Sequence, residues 1–166
     1  ADTLLAFDSA DRLLSAAVHP LNRPVIGKHN IVTAGYGILV PRIGTDLNSA
    51  KATDFTRIMA GAGGVSTYEQ ECSDFYQDHF GESIFTGKGL IDIETFHTVV
   101  GRRFPENRVL SHDILEGAYL RAGLLSDVEM TDGMPANALS WLARLHRWIR
   151  GDWQNLCFFG RTIQLN

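Results

Sequence analysis

Ser111-His-Asp-Ile-Leu-Glu-Gly-Ala-Tyr-Leu-Arg-Ala-Gly-Leu-Leu-Ser-Asp-Val-Glu-Met130 decides the fold class. Asp113–Ala122 spaces its apolar residues as a helix does, and Leu124–Met130 behind it reads as a strand. Beyond lies Ala136–Arg150, the longest helical pattern of the chain. Upstream the alternation continues. Ser9–Val18 reads as a short helix stopped near His19-Pro20, and Ile31–Val40 as a strand ending at Pro41. Thr53–Ala60 and Tyr68–Phe80 read as helices separated by Gly61-Ala-Gly-Gly64. Ser83–Ile93 is a loop or short strand around Gly87-Lys88-Gly89, followed by a short helix over Ile93–Val100. Such an order, without repeats or low-complexity tracts, predicts an α/β layer built on a sheet.

Bulk properties narrow the function. A chain of 166 residues with 45% apolar composition makes one cored domain. A net charge of −4 supplies no global positive field for nucleic acid, so basic function must be local. Cys72 and Cys157 lie far apart without CxxC spacing, which argues against a zinc knuckle or disulfide framework and fits a reducing cytosol. No run approaches the roughly 18–20 apolar residues of a membrane span, and the N-terminus has no basic-then-apolar leader, so a soluble piece is expected. The opening Ala1-Asp2-Thr3 has no lead-in, and the apolar Leu156-Cys-Phe-Phe159 has no obvious domain of its own. We therefore expect a fragment of something larger.

Two motifs carry chemistry. Asp113 followed by Glu116 has the spacing of a helix cap with its reciprocal glutamate, and the same Asp113 could serve as a general base toward a sugar hydroxyl. On the last helix, about 100° per residue sets Arg144, Arg147 and Arg150 within an arc of about 120°. Trp141, Leu142, Leu145, Trp148 and Ile149 fall opposite, predicting a buried aromatic face and an exposed basic one. A solvated cationic face is the ordinary explanation. Guanidinium forks also bind diphosphate oxygens and stabilise a departing phosphate.

Other patterns fail. Five residues rather than four separate Gly81 from Gly87, and Gly89 stands where a P-loop needs Ser or Thr, so a Walker-type nucleotidase is rejected. The histidines at 19, 29, 79, 97, 112 and 146 lack zinc-hydrolase spacing. Glu69, Glu71, Asp74 and Asp78 on the Tyr68–Phe80 pattern read as a solvated face. An arginine helix without interleaved exposed aromatics gives no nucleic-acid partner.

Taken together the residues resemble the glycosyltransferase domain of cyclic β-1,2-glucan synthases, glycosyltransferase family 84, relatives of the cellulose-synthase-like enzymes. The likeness spans nearly the whole chain. It runs through Ala1-Asp2-Thr3, His19-Pro-Leu-Asn-Arg-Pro24, Gly35-Tyr-Gly-Ile-Leu39, Tyr76-Gln-Asp78 and Phe85-Thr-Gly-Lys-Gly89. It continues through Pro105-Glu-Asn107, Ser111-His-Asp-Ile-Leu-Glu-Gly117, Arg121-Ala-Gly123 and His146-Arg-Trp-Ile-Arg-Gly-Asp-Trp-Gln154.

The resemblance implies the C-terminal part of a GT-A nucleotide-diphospho-sugar transferase fold, a mixed sheet with flanking helices. It implies inverting transfer of glucose from UDP-glucose to a growing glucan acceptor. Asp2 would be the last aspartate of the Asp-x-Asp motif that holds a divalent ion, magnesium or manganese. The nucleotide-binding half would precede Ala1, so the isolated piece is expected neither to bind UDP-glucose well nor to turn it over. Asp113 matches the catalytic base, with His112 in place of a glutamate and Glu116 one turn on. Arg147 and Trp148 match the end of the Gln-x-x-Arg-Trp motif, with Arg144 where that pattern has glutamine. Phe85–Gly89, with Gly87 and Lys88, matches a loop bordering the acceptor. The parent is expected in the bacterial inner membrane through segments outside this chain, with this domain on the cytoplasmic face. A synthase of another linkage, or a non-catalytic carbohydrate-binding or scaffold module, would share these motifs.

Overall fold

In a computed structural model, residues 3–60, 75–104, 109 and 112–163 are described. A four-stranded mixed sheet organises them, in the order β1 (Leu4–Leu5), β6 (Ala122–Asp132), β4 (Ile38–Thr45) and β5 (Leu90–Ile91). The central pair β4 and β6 is parallel, and β1 and β5 flank it antiparallel. A separate hairpin pairs β2 (Val25–Ile26) with β3 (Val32–Ala34).

Period-two alternation along β4 builds the layers. Ile38 and Val40 point to one face, where they bury against Val99 and Val100 at the end of α5 (Ile93–Val99) and Tyr119 and Leu120 of α6 (Asp113–Leu120). Leu39 points to the other, where it meets Leu13 of α1 (Ser9–Val18) and Val128 of β6. Helices therefore cover both faces, as the expected α/β layer requires.

Four expectations need correction. The strand expected over Ile31–Val40 is two strands, β3 and β4, because Gly35 at φ +64° turns the chain between them. A Cβ on Gly35 would lie 1.9 Å from the Arg23 carbonyl oxygen, so only glycine fits. Nor does Pro41 end the strand. On the β5 side β4 is paired only at Ile38 and Leu39, and on the β6 side the register slips after Pro41, pairing it with Leu125 and Arg42 with Glu129. Proline's missing N–H thus falls where the ladder is already interrupted.

The last helix, α7, runs Ala138–Ile163, well past the expected Arg150. Asn137 caps it, its side-chain oxygen accepting from Ser140 N at 2.9 Å. Its inward line is Trp141, Arg144, Leu145, Gly151, Asn155 and Phe158, all half-buried or buried, while Leu142 and Ile149 are exposed. The expected division into a buried aromatic face and an exposed basic one is therefore rotated. Arg144 goes inward, and its guanidinium stacks 4.9 Å from the centre of the Trp148 ring, which desolvates the cation without burying a bare charge.

Of the remaining expectations, α1 spans the residues read as a helix, and α3 (Asp54–Ala60) and α5 come within a residue. A short α2 (Leu47–Ala50), capped by Asp46, was not anticipated. The Tyr68–Phe80 helix is described only over α4 (Phe75–Phe80), and Gly61–Gly64, Glu69, Glu71 and Asp74 lie outside the described residues.

Candidate active site

Parallel strands aim their carboxyl ends at one edge of a sheet, the edge where open α/β proteins bind ligands. Here β4 and β6 end together at Thr45 and Asp132. Three connections deliver further groups to the same edge. β1 runs antiparallel to β6, so Thr3 arrives beside Asp132, and its hydroxyl donates to Asp132 Oδ1 at 2.7 Å. β5 runs antiparallel to β4, so the loop before it, Phe85–Gly89, lies over the same edge, with Lys88 Nζ paired to Asp132 Oδ2.

α6 supplies the third group. Arg121, at φ +56°, reverses the chain into β6, and Gly37 N donates to Leu120 O at 2.7 Å at the far end of the sheet. The opposite, N-terminal end of α6 therefore reaches the carboxyl edge, carrying His112, Asp113 and Glu116. Within this end, His112 is the cap residue, without a side-chain cap bond, and Asp113 is the first helical residue. The capping box expected from spacing does not form: Asp113 is already helical, Glu116 N donates to His112 O, and Leu115 stands where the reciprocal glutamate would be needed.

Gly87 covers Asp113. At φ +91° its backbone passes so close that a Cβ would sit 2.8 Å from Asp113 Oδ2. Phe85 rests on Gly117, where a Cβ would lie 2.9 Å from the Phe85 Cβ, so the loop rides directly on the first turns of α6. Gly117 is required by its contact with the Phe85 Cβ and backbone, and Gly87 by its positive φ.

The electrostatics are those of crowded carboxylates. Burial pushes the Glu116 carboxyl above its usual range, the Asp113 charge adds to this, and His112, whose Nδ1 lies 3.9 Å away, opposes it. Asp152 of α7 is also raised, first by burial and then by Asp113. That coupling ties α7 to the start of α6, as does a line of rings: Phe104 stacks on His112 at 5.4 Å and meets Phe158 edge-on at 5.8 Å.

The structure therefore brings Asp113, His112, Glu116 and Gly87 together, with α7 against them. Lys88 is engaged by Asp132, Arg144 and Trp148 stack on each other, and Arg147 is exposed. Asp2 lies outside the described residues, and among the described residues no group of three or more His, Cys, Asp or Glu side chains could hold a metal. Two carboxylates escaped the sequence reading. Asp152 stood in the quoted Arg-Gly-Asp-Trp run, four residues after Trp148, and helical spacing alone could have raised it. Asp132 carried no local signal, since its partners are far away in sequence. A shallow cleft lined by Ala17, Pro24, Tyr36, Leu90 and Asp92 lies on the α1 face and touches none of these groups.

The carboxyl edge of the sheet thus carries the Asp113 carboxylate, the glycine loop that covers it and, through Asp152 and Phe158, a side of α7. Over 157 residues, 93% of its length, the chain is 41% identical to cyclic beta-(1,2)-glucan synthase NdvB of Rhizobium meliloti (strain 1021). It spans 6% of the length of that relative. No family model matches the chain. No described helix is long and apolar enough to cross a membrane.

Proposed function

We propose that the chain is a fragment of a glucan synthase, the C-terminal part of a GT-A glycosyltransferase domain that transfers glucose from UDP-glucose to a β-1,2-glucan with inversion. The likeness to NdvB supports glycosyl transfer in the parent. The observation that carries the assignment of Asp113 is its place beneath Gly87 and within electrostatic reach of Asp152, on the helix that bears Arg147 and Trp148.

In the proposed reaction Asp113 takes the proton from the acceptor 2-hydroxyl as that oxygen bonds to the anomeric carbon. The bond from that carbon to the diphosphate oxygen breaks on the opposite face, and UDP leaves with the electron pair. Glu116, its carboxyl raised by burial, lies beside the base as a neutralisable neighbour rather than a second fixed charge. Arg147, exposed on α7, is a cation for the departing diphosphate, and the Trp148 face turned away from Arg144 is a stacking surface for a sugar. A divalent ion at Asp2 belongs to this proposal from the resemblance alone, and no step is assigned to it. The parent is proposed at the cytoplasmic face of a bacterial inner membrane.

The test is Asp113→Asn in the full-length natural protein supplied with radiolabelled UDP-glucose. Loss of glucan synthesis by at least about a hundredfold, in a protein with unchanged thermal unfolding, is expected. Full activity in that variant overturns the assignment and favours a scaffold role. Titration calorimetry of the 166-residue chain with UDP-glucose is expected to show no micromolar binding.

A further inference from the structure

We infer that Asp132 is a positioning residue for the proposed transfer, linking the loop over the base to the strand that follows Asp2. The inference rests on that reading and adds a residue to it.

Each oxygen of the Asp132 carboxylate serves a different segment. Oδ1 accepts from the Thr3 hydroxyl at 2.7 Å, and Oδ2 holds Lys88 Nζ. Its own backbone is fixed as well, paired with Thr45 in the parallel ladder and accepting from Asp46 N at 2.9 Å. One rigid point at the end of the sheet thus fastens a short exposed strand and the Lys88 end of a loop whose other end is held by the buried Phe85. β1 is only Leu4–Leu5, both exposed, and the Phe85–Gly89 loop has two residues of β5 behind it.

Partial burial gives the ion pair its strength. The Lys88 and Asp132 side chains are 29% and 24% exposed, against 62% and 91% for the surface pair Arg57–Asp54, so solvent screens the former less. Gly87, one residue before Lys88, lies against the Asp113 carboxylate. Holding Lys88 therefore holds the backbone that shapes the space above Asp113. Releasing it loosens the acceptor side while Asp113 itself keeps its place on α6.

The substitutions separate the two arms. Asp132→Asn keeps an oxygen for Thr3 and loses the charge that holds Lys88; Lys88→Met loses the same pair from the other side. In the full-length natural protein each is expected to raise KM for a β-1,2-gluco-oligosaccharide acceptor about tenfold, with KM for UDP-glucose unchanged. The double variant is expected to lose no more than either single one, and Lys88→Arg to recover most of the loss that Lys88→Met causes. A merely structural role would lower the folded fraction and so the apparent kcat, leaving both KM values in place.

Hydrogen exchange supplies a readout independent of turnover: Asp132→Asn is expected to speed exchange across residues 85–89 and to leave α6 unchanged. Unaltered acceptor KM, multiplicative losses in the double variant, or unaltered exchange in the loop each overturns the inference. If the wild-type protein makes no glucan, the transfer reading fails at that point, and the exchange result still decides whether Asp132 anchors the loop.

Discussion

Gly87→Ala is the sharpest probe of the geometry above Asp113. Two costs follow from the structure. The first is conformational: φ at +91° lies where an L side chain is strained, worth about 1–3 kcal/mol. For a domain of this size each kcal/mol lowers Tm by about 2–4 °C, giving a fall between about 2 and 12 °C. The second is local. The new Cβ would sit 2.8 Å from Asp113 Oδ2, inside the ordinary contact limit near 3.4 Å, so the carboxylate must turn aside or the loop must lift, by about 0.6 Å either way. A displacement of 1 Å can cost about a hundredfold in rate, so 0.6 Å is expected to cost at least about tenfold in kcat. Gly81→Ala is the matched control: its φ is +70°, and its Cβ would meet only the mobile end of the Arg121 side chain, at 3.2 Å. Thermal melts of both variants, with glucan synthesis by the full-length protein, separate the costs. Both should lower Tm, and only Gly87→Ala should depress kcat. Equal kcat in the two variants would refute the placement of the loop over the base.

Gly35→Ala meets a backbone oxygen at 1.9 Å and a positive φ together, so it should destabilise by at least about 3 kcal/mol, visible as a lost or strongly lowered melting transition. Glu116→Gln should change the pH dependence of stability. Burial first, then Asp113, raises this carboxyl in the folded state, so the native protein binds more protons than the unfolded chain. The contribution of Glu116 is then full below the unfolded value of about 4.3 and is lost as pH rises through the folded one. Melts across pH 4–7 should show variant and wild type converging at the acid end and the variant more stable at the neutral end; parallel curves would count against the burial of this group. Chelation with EDTA should abolish glucan synthesis by the parent, with recovery on adding magnesium or manganese, if Asp2 serves as the resemblance implies.

Elements fixed by local chemistry were legible in the sequence. α1 needed only its apolar spacing and the stop at His19-Pro20, and α5 its Asp92 cap, which accepts from Thr95 N at 2.8 Å. Features fixed by pairing were not. Pro41 looks like a strand end until the slipped register of β6 beside it is known, and the turn at Gly35 was hidden inside one β-branched run. α7 shows the same limit in helical form. Trp141, Leu145 and Phe158 mark one apolar stripe, while Leu139, Leu142, Ile149, Trp153 and Leu156 mark a second that stays exposed. Periodicity reports that stripes exist; only the neighbouring surface decides which one turns inward.

The site divides along the same line. Asp113 and Glu116 stand together because one helical turn separates them, and spacing alone brought them forward, whereas His112 entered through the resemblance. Gly87 reached the list through resemblance, since no spacing joins it to Asp113; what joins them is the antiparallel return of β5, which lays the loop across the end of α6. Asp132 and Thr3 are 129 positions apart and meet only because β1 closes the sheet beside β6. Chemistry at a sheet edge is assembled by strand direction: two parallel strands bring their ends together, and each antiparallel neighbour carries its preceding loop to the same edge. Substitutions that disturb this convergence, such as those at Asp132, should therefore alter substrate handling while leaving Asp113 in its place.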